Sequence, residues 1–497
     1  MNNTNLKDRV INATKWSSFT EIIAKLISPV TNMILARILA PEAFGVVATV
    51  TMIISFADMF TDSGFQKYLV QHEFKDESEK YKNANVAFWT NFGISVLFWI
   101  IIIIFREQLA TLVGNPRLGN VIAISCFQLL LTSFSSIQMA LFRRDLDFKT
   151  LFLVRVVSVF IPFVITIPLA LLGLNYWALI IGTLVIRLSN AVILTIKSKW
   201  KPRFFYSIKI LKEMFSFSIW SLIEAISIWL TSWVDTFIIS SFLNQYYLGI
   251  YKTSTSMVNA LMALVTASIV PVLFSTLSRF QEDDEKFNHV FFKFQRLVSI
   301  IVFPMGIGVY LYSDLATKIL LGSQWHEANK VIGVWALTSS ITIVFSYFNS
   351  EAYRAKGRPK LSFISQLLHL IFLVPTCIVS AKYGFWALVY ARSLIRTQGI
   401  LVGFIIMNKM LKIPILNSFK NVYPTAVSSV IMGIFGYLLQ QISNCMIWSL
   451  ISIVLCAVLY VITLSLFPNM RKEVIILVTK LLPKRLMHRF NLHGTKT

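Results

Sequence analysis

Apolar runs about twenty residues long recur along most of this 497-residue chain. A helix needs ~20 such residues to cross the hydrocarbon core of a bilayer, where only helices or closed barrels satisfy their own backbone. About fourteen runs can be placed, roughly at 17–39, 43–66, 85–105, 118–142, 150–172, 176–196, 214–240, 247–275, 294–313, 331–351, 361–381, 384–407, 421–440 and 445–466. Mean hydropathy is +0.69, more than a soluble core accounts for. The sequence therefore predicts an all-α polytopic membrane protein with about 14 transmembrane helices.

The basic residues alternate from one loop to the next. With a cytoplasmic N-terminus, the inside segments hold 34 lysines and arginines and the outside segments hold five. This asymmetry follows the positive-inside rule and predicts that both termini are cytoplasmic. The net charge of +23 is then explained by basic loops at an anionic leaflet. A nucleic-acid partner is not needed to explain it.

Three pairs of segments repeat at nearly one offset. "YWALIIGTLVIR" at 176–187 matches "FWALVYARSLIR" 209 residues later, and "ILAPEAFGVV" at 38–47 aligns with "FLNQYYLGIY" 204 residues later. "ALFRRDLDFKTL" at 140–151 resembles "EAYRAKGRPKL" at an offset of about 211. Two six-helix lobes of equal orientation follow, with a pseudo-two-fold axis along the membrane normal and a central cavity between them. The predicted divisions are 1–210 (helices 1–6), 211–420 (helices 7–12), 421–466 (helices 13 and 14) and 467–497, a basic amphipathic cytoplasmic tail.

Polar side chains line one face of four predicted helices. Charged groups inside a membrane are costly and mark functional sites by default. The stripes are Glu21, Lys25, Ser28 and Asn32 on helix 1; Thr51, Ser55, Asp58 and Asp62 on helix 2; Ser221, Glu224, Thr231 and Asp235 on helix 7; and Lys252, Ser256, Asn259 and Thr266 on helix 8. Helices 7 and 8 correspond to helices 1 and 2 in the repeat. Four related polar stripes predict a hydrated cavity.

Several stretches resemble the Wzx-type polysaccharide flippases, especially the colanic acid and teichuronic acid exporters, of the multidrug/oligosaccharidyl-lipid/polysaccharide (MOP) superfamily. The resemblance covers nearly the whole chain and is carried by "LARILAPEAFGVVATVTMI" (35–53), "FTDSGFQKYLVQ" (60–71), "QMALFRRDLDFKTL" (138–151), "VDTFIISSFLNQYYLGIYKTS" (234–254) and "LLGSQWHEANKVIGVWAL" (320–337). It implies a MATE-like fold in the bacterial cytoplasmic membrane, with helices 1, 2, 7 and 8 lining the cavity. The implied function is to flip an undecaprenyl-diphosphate-linked oligosaccharide to the outer leaflet by alternating access, for polysaccharide, lipopolysaccharide or exopolysaccharide biosynthesis. H⁺ or Na⁺ coupling is suggested for relatives.

This cargo assigns roles to the polar residues. A pyrophosphate needs cations, so the substrate-binding candidates are Lys25, Arg37, Lys252, Asn32 and Asn259. A poorly hydrated carboxylate can exchange protons, so the ion-coupling candidates are Glu21, Asp58, Glu224 and Asp235. Structural pairing with acids or carbonyls is expected for Arg155, Arg187, Arg392 and Arg396. Alternatives stay open: Glu21 and Lys25 can neutralise each other, and Arg37 can face headgroups.

Other classes of function find less support. The chain has no Gly-Lys dipeptide and hence no Walker A loop, and no nucleophile–base or metal-ligand spacing. We expect a transporter without catalytic residues, metal or cofactor; membrane lipids and other polysaccharide assembly proteins are its expected partners. A cation-coupled drug exporter of the same superfamily would favour an acid-dominated cavity. A membrane polysaccharide polymerase would favour a large extracytoplasmic loop.

Overall fold

The structure of the protein is a computed structural model that describes residues 3–62, 64–443, 445–471 and 473. Within the helices, the side chains of residues 3–14, 18, 21, 22, 25, 26, 62, 216–224 and 268 lie outside this description. The predicted functional side chains of Glu21, Lys25 and Glu224 therefore fall outside the described residues. The same holds for most of the predicted cytoplasmic tail.

Fourteen long helical segments follow one another along the chain. They are α1 (Asn3–Ile38), α2 (Pro41–Asp62), α3 (Glu77–Ile104), α4 (Pro116–Arg144), α5 (Phe148–Leu171), α6 (Tyr176–Lys197), α7 (Ile208–Phe242), α8 (Gln245–Arg279), α9 (Asp284–Leu311), α10 (Ala328–Ala355), α11 (Lys360–Ala381), α12 (Phe385–Leu411), α13 (Ile415–Gln440) and α14 (Met446–Ser465). Each overlaps one predicted apolar run, and the described residues contain no strand. The prediction of an all-α polytopic membrane protein is confirmed.

Most of these helices are long and apolar enough to cross a membrane. Twelve meet that condition among the described residues, and α8 makes thirteen when its two bent halves are counted as one span. The halves, Gln245–Ala267 and Ile269–Arg279, meet at 41°. Pro271 accounts for the bend, because its ring clashes with the carbonyl of residue 267 and it has no N–H to donate. The remaining segment, α1, is a 36-residue helix over the first predicted run.

The sequence repeat is visible in the turns that open α6 and α12. Asn175 directly precedes α6 with φ 50°, and Gly384 directly precedes α12 with φ 99°. The two residues are equivalent at the 209-residue offset of the repeat. Positive φ is rare outside glycine, and asparagine is one of the few side chains that tolerate it. Both copies therefore have a residue with positive φ directly before the helix.

A second repeat-related contact joins α2 to α8. A Cβ on Gly45 would lie 1.9 Å from the carbonyl oxygen of Gln245, and one on Gly249 would lie 1.8 Å from that of Pro41. Gly45 corresponds to Gly249, and Pro41 to Gln245, at the 204-residue offset. The first turns of the two helices thus touch backbone to backbone, related by a local two-fold. Only glycine permits such an approach.

The chain folds into two compact units. Unit 1 comprises residues 1–253, 320–325 and 370–392. Its apolar core includes a cluster around Ile54, Ile122 and Leu129, and a second cluster around Phe65 and Phe88. Unit 1 includes α7, which the repeat assigns to the second lobe, so the lobe boundaries at 210 and 420 stay a prediction.

Unit 2 comprises residues 254–319, 326–369 and 393–497. Its core packs α9 against α10 and α13, and α14 against α13. The packing centres on Ile300, Met432, Cys456 and Tyr460. The Tyr460 hydroxyl donates a hydrogen bond of 2.7 Å to the carbonyl of Ile300, which satisfies a polar group that lipid would leave unpaired.

Candidate functional site

Three predicted ionisable residues meet inside unit 1. Arg392 of α12 donates from Nε to Oδ2 of Asp235 in α7 at 2.9 Å, and the two side chains are 9% and 6% exposed. Lys252 of α8 donates from Nζ to Oγ1 of Thr236 at 3.1 Å. Tyr251 donates from its hydroxyl to Oδ2 of Asp235 at 2.8 Å. We call Asp235, Thr236, Tyr251, Lys252 and Arg392 the charge cluster.

The carboxylate of Asp235 is the hub of the charge cluster. Its Oδ1 accepts hydrogen bonds from the backbone N–H of Thr236 at 2.7 Å and from the Thr236 hydroxyl at 3.2 Å. Its Oδ2 accepts from Tyr251 and Arg392. Both oxygens therefore have donors, as a buried charge requires. This geometry supports a role for Asp235 as the partner of Arg392, and ion coupling by Asp235 stays a prediction.

Counting only its five described members, the charge cluster holds two cations and one carboxylate, and hence a formal charge of +1. Lys252 places its ammonium 3.9 Å from the ring centroid of Trp233, a cation–π contact. Such a contact is worth ~2 kcal/mol or more when the ammonium is desolvated. Taking charges out of water costs several kcal/mol per ion. Burying the cluster is therefore energetically unfavourable, and its excess positive charge suits an anionic ligand.

The hairpin formed by α7 and α8 explains why Asp235 and Lys252 lie at the same depth along the two helices. The two helices are joined by only two residues, Leu243 and Asn244. Asp235 lies seven residues before the end of α7, and Lys252 lies seven residues after the start of α8. At 1.5 Å per residue both are ~10 Å from the turn. An antiparallel hairpin therefore sets the two residues side by side.

The charge cluster belongs to the second repeat alone. At the offsets of the repeat, Asp235 corresponds to Thr31, Lys252 to Ala48 and Arg392 to Thr183. None of the first-repeat residues is ionisable. The repeat conserves the helical scaffold at these positions but not the charges. This asymmetry indicates that the cluster serves something other than the symmetric framework.

Two further predicted residues, Asn259 and Arg396, contact Trp335 in unit 2. The Trp335 indole N–H donates to Oδ1 of Asn259 at 3.0 Å. Arg396 lies with its guanidinium carbon 4.4 Å from the Trp335 ring centroid and donates to Oγ of Ser339 at 2.7 Å. Asn259 and Arg396 are thus joined through an aromatic residue that polar periodicity alone does not single out.

Five other predicted residues, whose side chains the structure does describe, are not part of the charge cluster as defined above. Asn32 and Arg37, on α1, are exposed, as is Arg155 on α5. Arg187 on α6 and Asp58 on α2 are half-buried.

Sequence reasoning missed three contributors to the site, Tyr251, Trp233 and Trp335. Each is an aromatic residue inside an apolar helix, where the sequence alone suggests that it faces lipid or packs in the core. The only available signal was position, since Tyr251 directly precedes Lys252 in the sequence. The part of the chain that the structure describes contains no group of three or more His, Cys, Asp or Glu residues that could hold a metal ion.

The long apolar helices, with charges paired among them, define a multi-pass membrane protein. Its fold is similar to that in the solved structure "Lipid II flippase MurJ, inward closed conformation", with a TM-score of 0.72 and 16% identity. The superposition covers 91% of this chain and 98% of that chain. At this identity the likeness establishes the fold alone.

The family follows from the sequence itself. The chain belongs to the family described as "Polysaccharide biosynthesis protein", whose profile matches residues 34–330. It is 28% identical over 335 residues to the Succinoglycan biosynthesis transport protein ExoT of Rhizobium meliloti, covering 67% of each chain. It is 22% identical over 450 residues to the Lipopolysaccharide biosynthesis protein WzxC of Escherichia coli, covering 86% of this chain and 88% of that one. These matches confirm the resemblance to Wzx-type proteins.

Proposed function

We propose that the protein is a flippase that moves an undecaprenyl-diphosphate-linked oligosaccharide from the inner to the outer leaflet of the bacterial cytoplasmic membrane. It works by alternating access and is driven by H⁺ or Na⁺, with both termini in the cytoplasm. The names of the relatives support this proposal, because ExoT is called a succinoglycan transport protein and MurJ a lipid II flippase.

The charge cluster is the observation that carries the proposal. The diphosphate of such a cargo is anionic, and crossing the bilayer centre without cationic partners would be prohibitive. The cluster supplies an arginine and a lysine for one carboxylate. Its net positive charge favours an anionic cargo over the cationic cargo of a proton-coupled drug exporter, which would call for excess carboxylates.

The cluster also suggests how binding is coupled to movement. Arg392 is held by Asp235 in this state, and a diphosphate oxygen is a comparable acceptor for a guanidinium. Cargo arriving at Lys252 would compete with Asp235 for Arg392 and loosen the link between α7 and α12. Lys252 is then the first contact of the diphosphate and Arg392 the exchanged partner.

The remaining predicted residues keep their proposed roles in the same scheme. Lys25, Arg37, Asn32 and Asn259 are proposed to contact the cargo. For ion coupling the proposed acids are Glu21, Asp58, Glu224 and Asp235.

A complementation experiment tests the proposal. A deletion strain receives the wild-type gene, the Lys252→Met variant or the control Lys318→Met, which removes a 66%-exposed lysine paired with Asp314. Without the wild-type gene, undecaprenyl-linked repeat units should accumulate on the inner leaflet. Cells with Lys252→Met should export repeat units about tenfold more slowly than cells with the wild type, at the same protein level. This factor corresponds to the loss of one charge-assisted hydrogen bond. Lys318→Met should match the wild type.

One result would contradict the flippase function, and another would contradict the role of the charge cluster. Repeat units that reach the outer leaflet normally in the deletion strain, with no paralogue present, would exclude the flippase function. Unimpaired export by Lys252→Met would leave the function standing and remove the charge cluster from cargo recognition.

A further inference from the structure

Unit 2 contains an apolar groove that the charge cluster does not involve. It has a volume of about 720 Å³ and is formed by α9, α10 and α13. Its walls are mainly aliphatic and aromatic side chains, among them Phe303, Ile341, Phe345, Phe419 and Val430. Phe419 and Val430 are about half exposed, so the groove is open at the side of the helices.

One end of the groove adjoins a smaller polar pocket of about 260 Å³. Lys420 lines both spaces. The polar pocket also includes Arg296 and three asparagines, Asn417, Asn421 and Asn469. A long apolar space that ends at a cation and amide groups has the polarity of an amphiphile with an anionic head.

The charge balance of the polar pocket depends on Lys420. Arg296 is already paired, since its Nη2 lies 2.6 Å from Oε1 of Glu473. Among the described residues, no carboxylate lies within 4.0 Å of Lys420. The pocket thus keeps one positive charge for a ligand.

The length of the groove matches one leaflet. On α13 it extends from Phe419 to Val430, eleven residues or ~16 Å at 1.5 Å per residue. This is about half of the ~30 Å hydrocarbon core. Lys420 lies five residues from the start of α13, at the end that the basic loops predict to be cytoplasmic. The polar pocket therefore falls at headgroup level and the groove at acyl-chain level.

We infer that this groove is a binding site for an anionic phospholipid of the inner leaflet. The phosphate lies against Lys420 and the asparagine amides, and one acyl chain fills the groove between α9, α10 and α13. Basic pockets between transmembrane helices on the cytoplasmic side are known to bind anionic headgroups. The groove and the polar pocket share no residue with the proposed cargo site, so this inference does not depend on the proposed function.

Lipid retention by the purified, delipidated full-length protein tests this inference. Phosphatidylglycerol and phosphatidylcholine of equal chain length are titrated in detergent, and bound lipid is counted by native mass spectrometry. The wild type should bind phosphatidylglycerol about fivefold more tightly than the Lys420→Ala variant does. This factor is the effect expected of one lysine at a lipid headgroup. The exposed Lys409→Ala, on the same side of the bundle, should behave as the wild type. Ala426→Phe, which fills the groove, should weaken both lipids.

Three outcomes would overturn it. The first is equal binding of both lipids by the wild type and by Lys420→Ala. The second is displacement of phosphatidylglycerol by a tenfold lower concentration of undecaprenyl phosphate, which would make the groove a site for the cargo tail. The third is a several-fold gain in lipid binding when residues 474–497 are deleted, which would make that segment the occupant. None of these outcomes bears on whether the protein flips its cargo.

Discussion

Breaking the ion pair between Asp235 and Arg392 should destabilise unit 1, and the charges of the cluster predict the order of its variants. Asp235→Ala leaves Arg392 and Lys252 facing each other, with a formal charge of +2. Arg392→Met leaves Asp235 with Lys252, which together are neutral. Lys252→Met leaves the 2.9 Å pair intact and neutral. Loss of the acid should therefore be the most damaging change.

The magnitude follows from the burial of the pair. Removing one partner of a buried ion pair costs ~3–5 kcal/mol, because the other charge stays uncompensated. We expect Asp235→Ala at the top of this range, Arg392→Met at or below its lower end, and Lys252→Met within about 1 kcal/mol of the wild type. The double variant Asp235→Ala/Arg392→Met restores the formal charge of +1. It should be ~2–3 kcal/mol more stable than the sum of the single effects predicts.

The assay is the free energy of unfolding of the purified protein in mild detergent, measured by SDS titration with helical circular dichroism. All four variants are compared at equal detergent composition. Single effects that add in the double variant to within about 0.5 kcal/mol would refute the reasoning, because the two residues would then be uncoupled. A destabilisation by Lys252→Met as large as that by Asp235→Ala would refute the order of variants derived from their formal charges.

Three shorter predictions address packing and topology. Gly249→Ala puts a Cβ 1.8 Å from a backbone oxygen of α2 and should lower the free energy of unfolding by ~1–3 kcal/mol. The control Gly308→Ala has nothing within 4 Å of its Cβ and should not destabilise the protein. Trp335→Phe removes the hydrogen bond to Asn259 and should lower the free energy of unfolding by ~1 kcal/mol, and no change would show that bond to be dispensable. In intact cells an impermeant maleimide should label the exposed Cys445, whereas the double variant Cys445→Ser/Glu282→Cys should react only after permeabilisation; the reverse pattern would invert the predicted orientation.

The sequence predicted the helical framework because each helix must satisfy its own backbone in lipid. That requirement produces apolar runs in the sequence, and the helices α1–α14 correspond to these runs in length and position. The repeat predicted equivalences that the backbone displays, such as the positive φ of Asn175 and Gly384. The short helices Phe65–Gln71 and Arg106–Leu112 were not predicted, since seven residues outside an apolar run leave no readable period.

The candidate site was predictable residue by residue but not as an assembly. Polar stripes singled out Asp235 and Lys252, and a short hairpin sets them at equal depth. The pairing with Arg392 depends on how α12 is rotated against α7, which one sequence does not encode in any local pattern. The contribution of Tyr251 depends on the direction of one hydroxyl group. Side-chain orientation across helices is a tertiary property, and it decides which charges meet.

Reconstituted transport is the most direct test of the proposed function. The purified protein is incorporated into liposomes with an undecaprenyl-diphosphate-linked oligosaccharide, and a membrane-impermeant glycosidase reports the fraction of cargo that becomes accessible from outside. The account predicts that wild-type protein raises this fraction well above that of empty liposomes and that Lys252→Met lowers the rate about tenfold. Accessibility equal to that of empty liposomes, with protein shown to be folded and inserted, would contradict the flippase assignment.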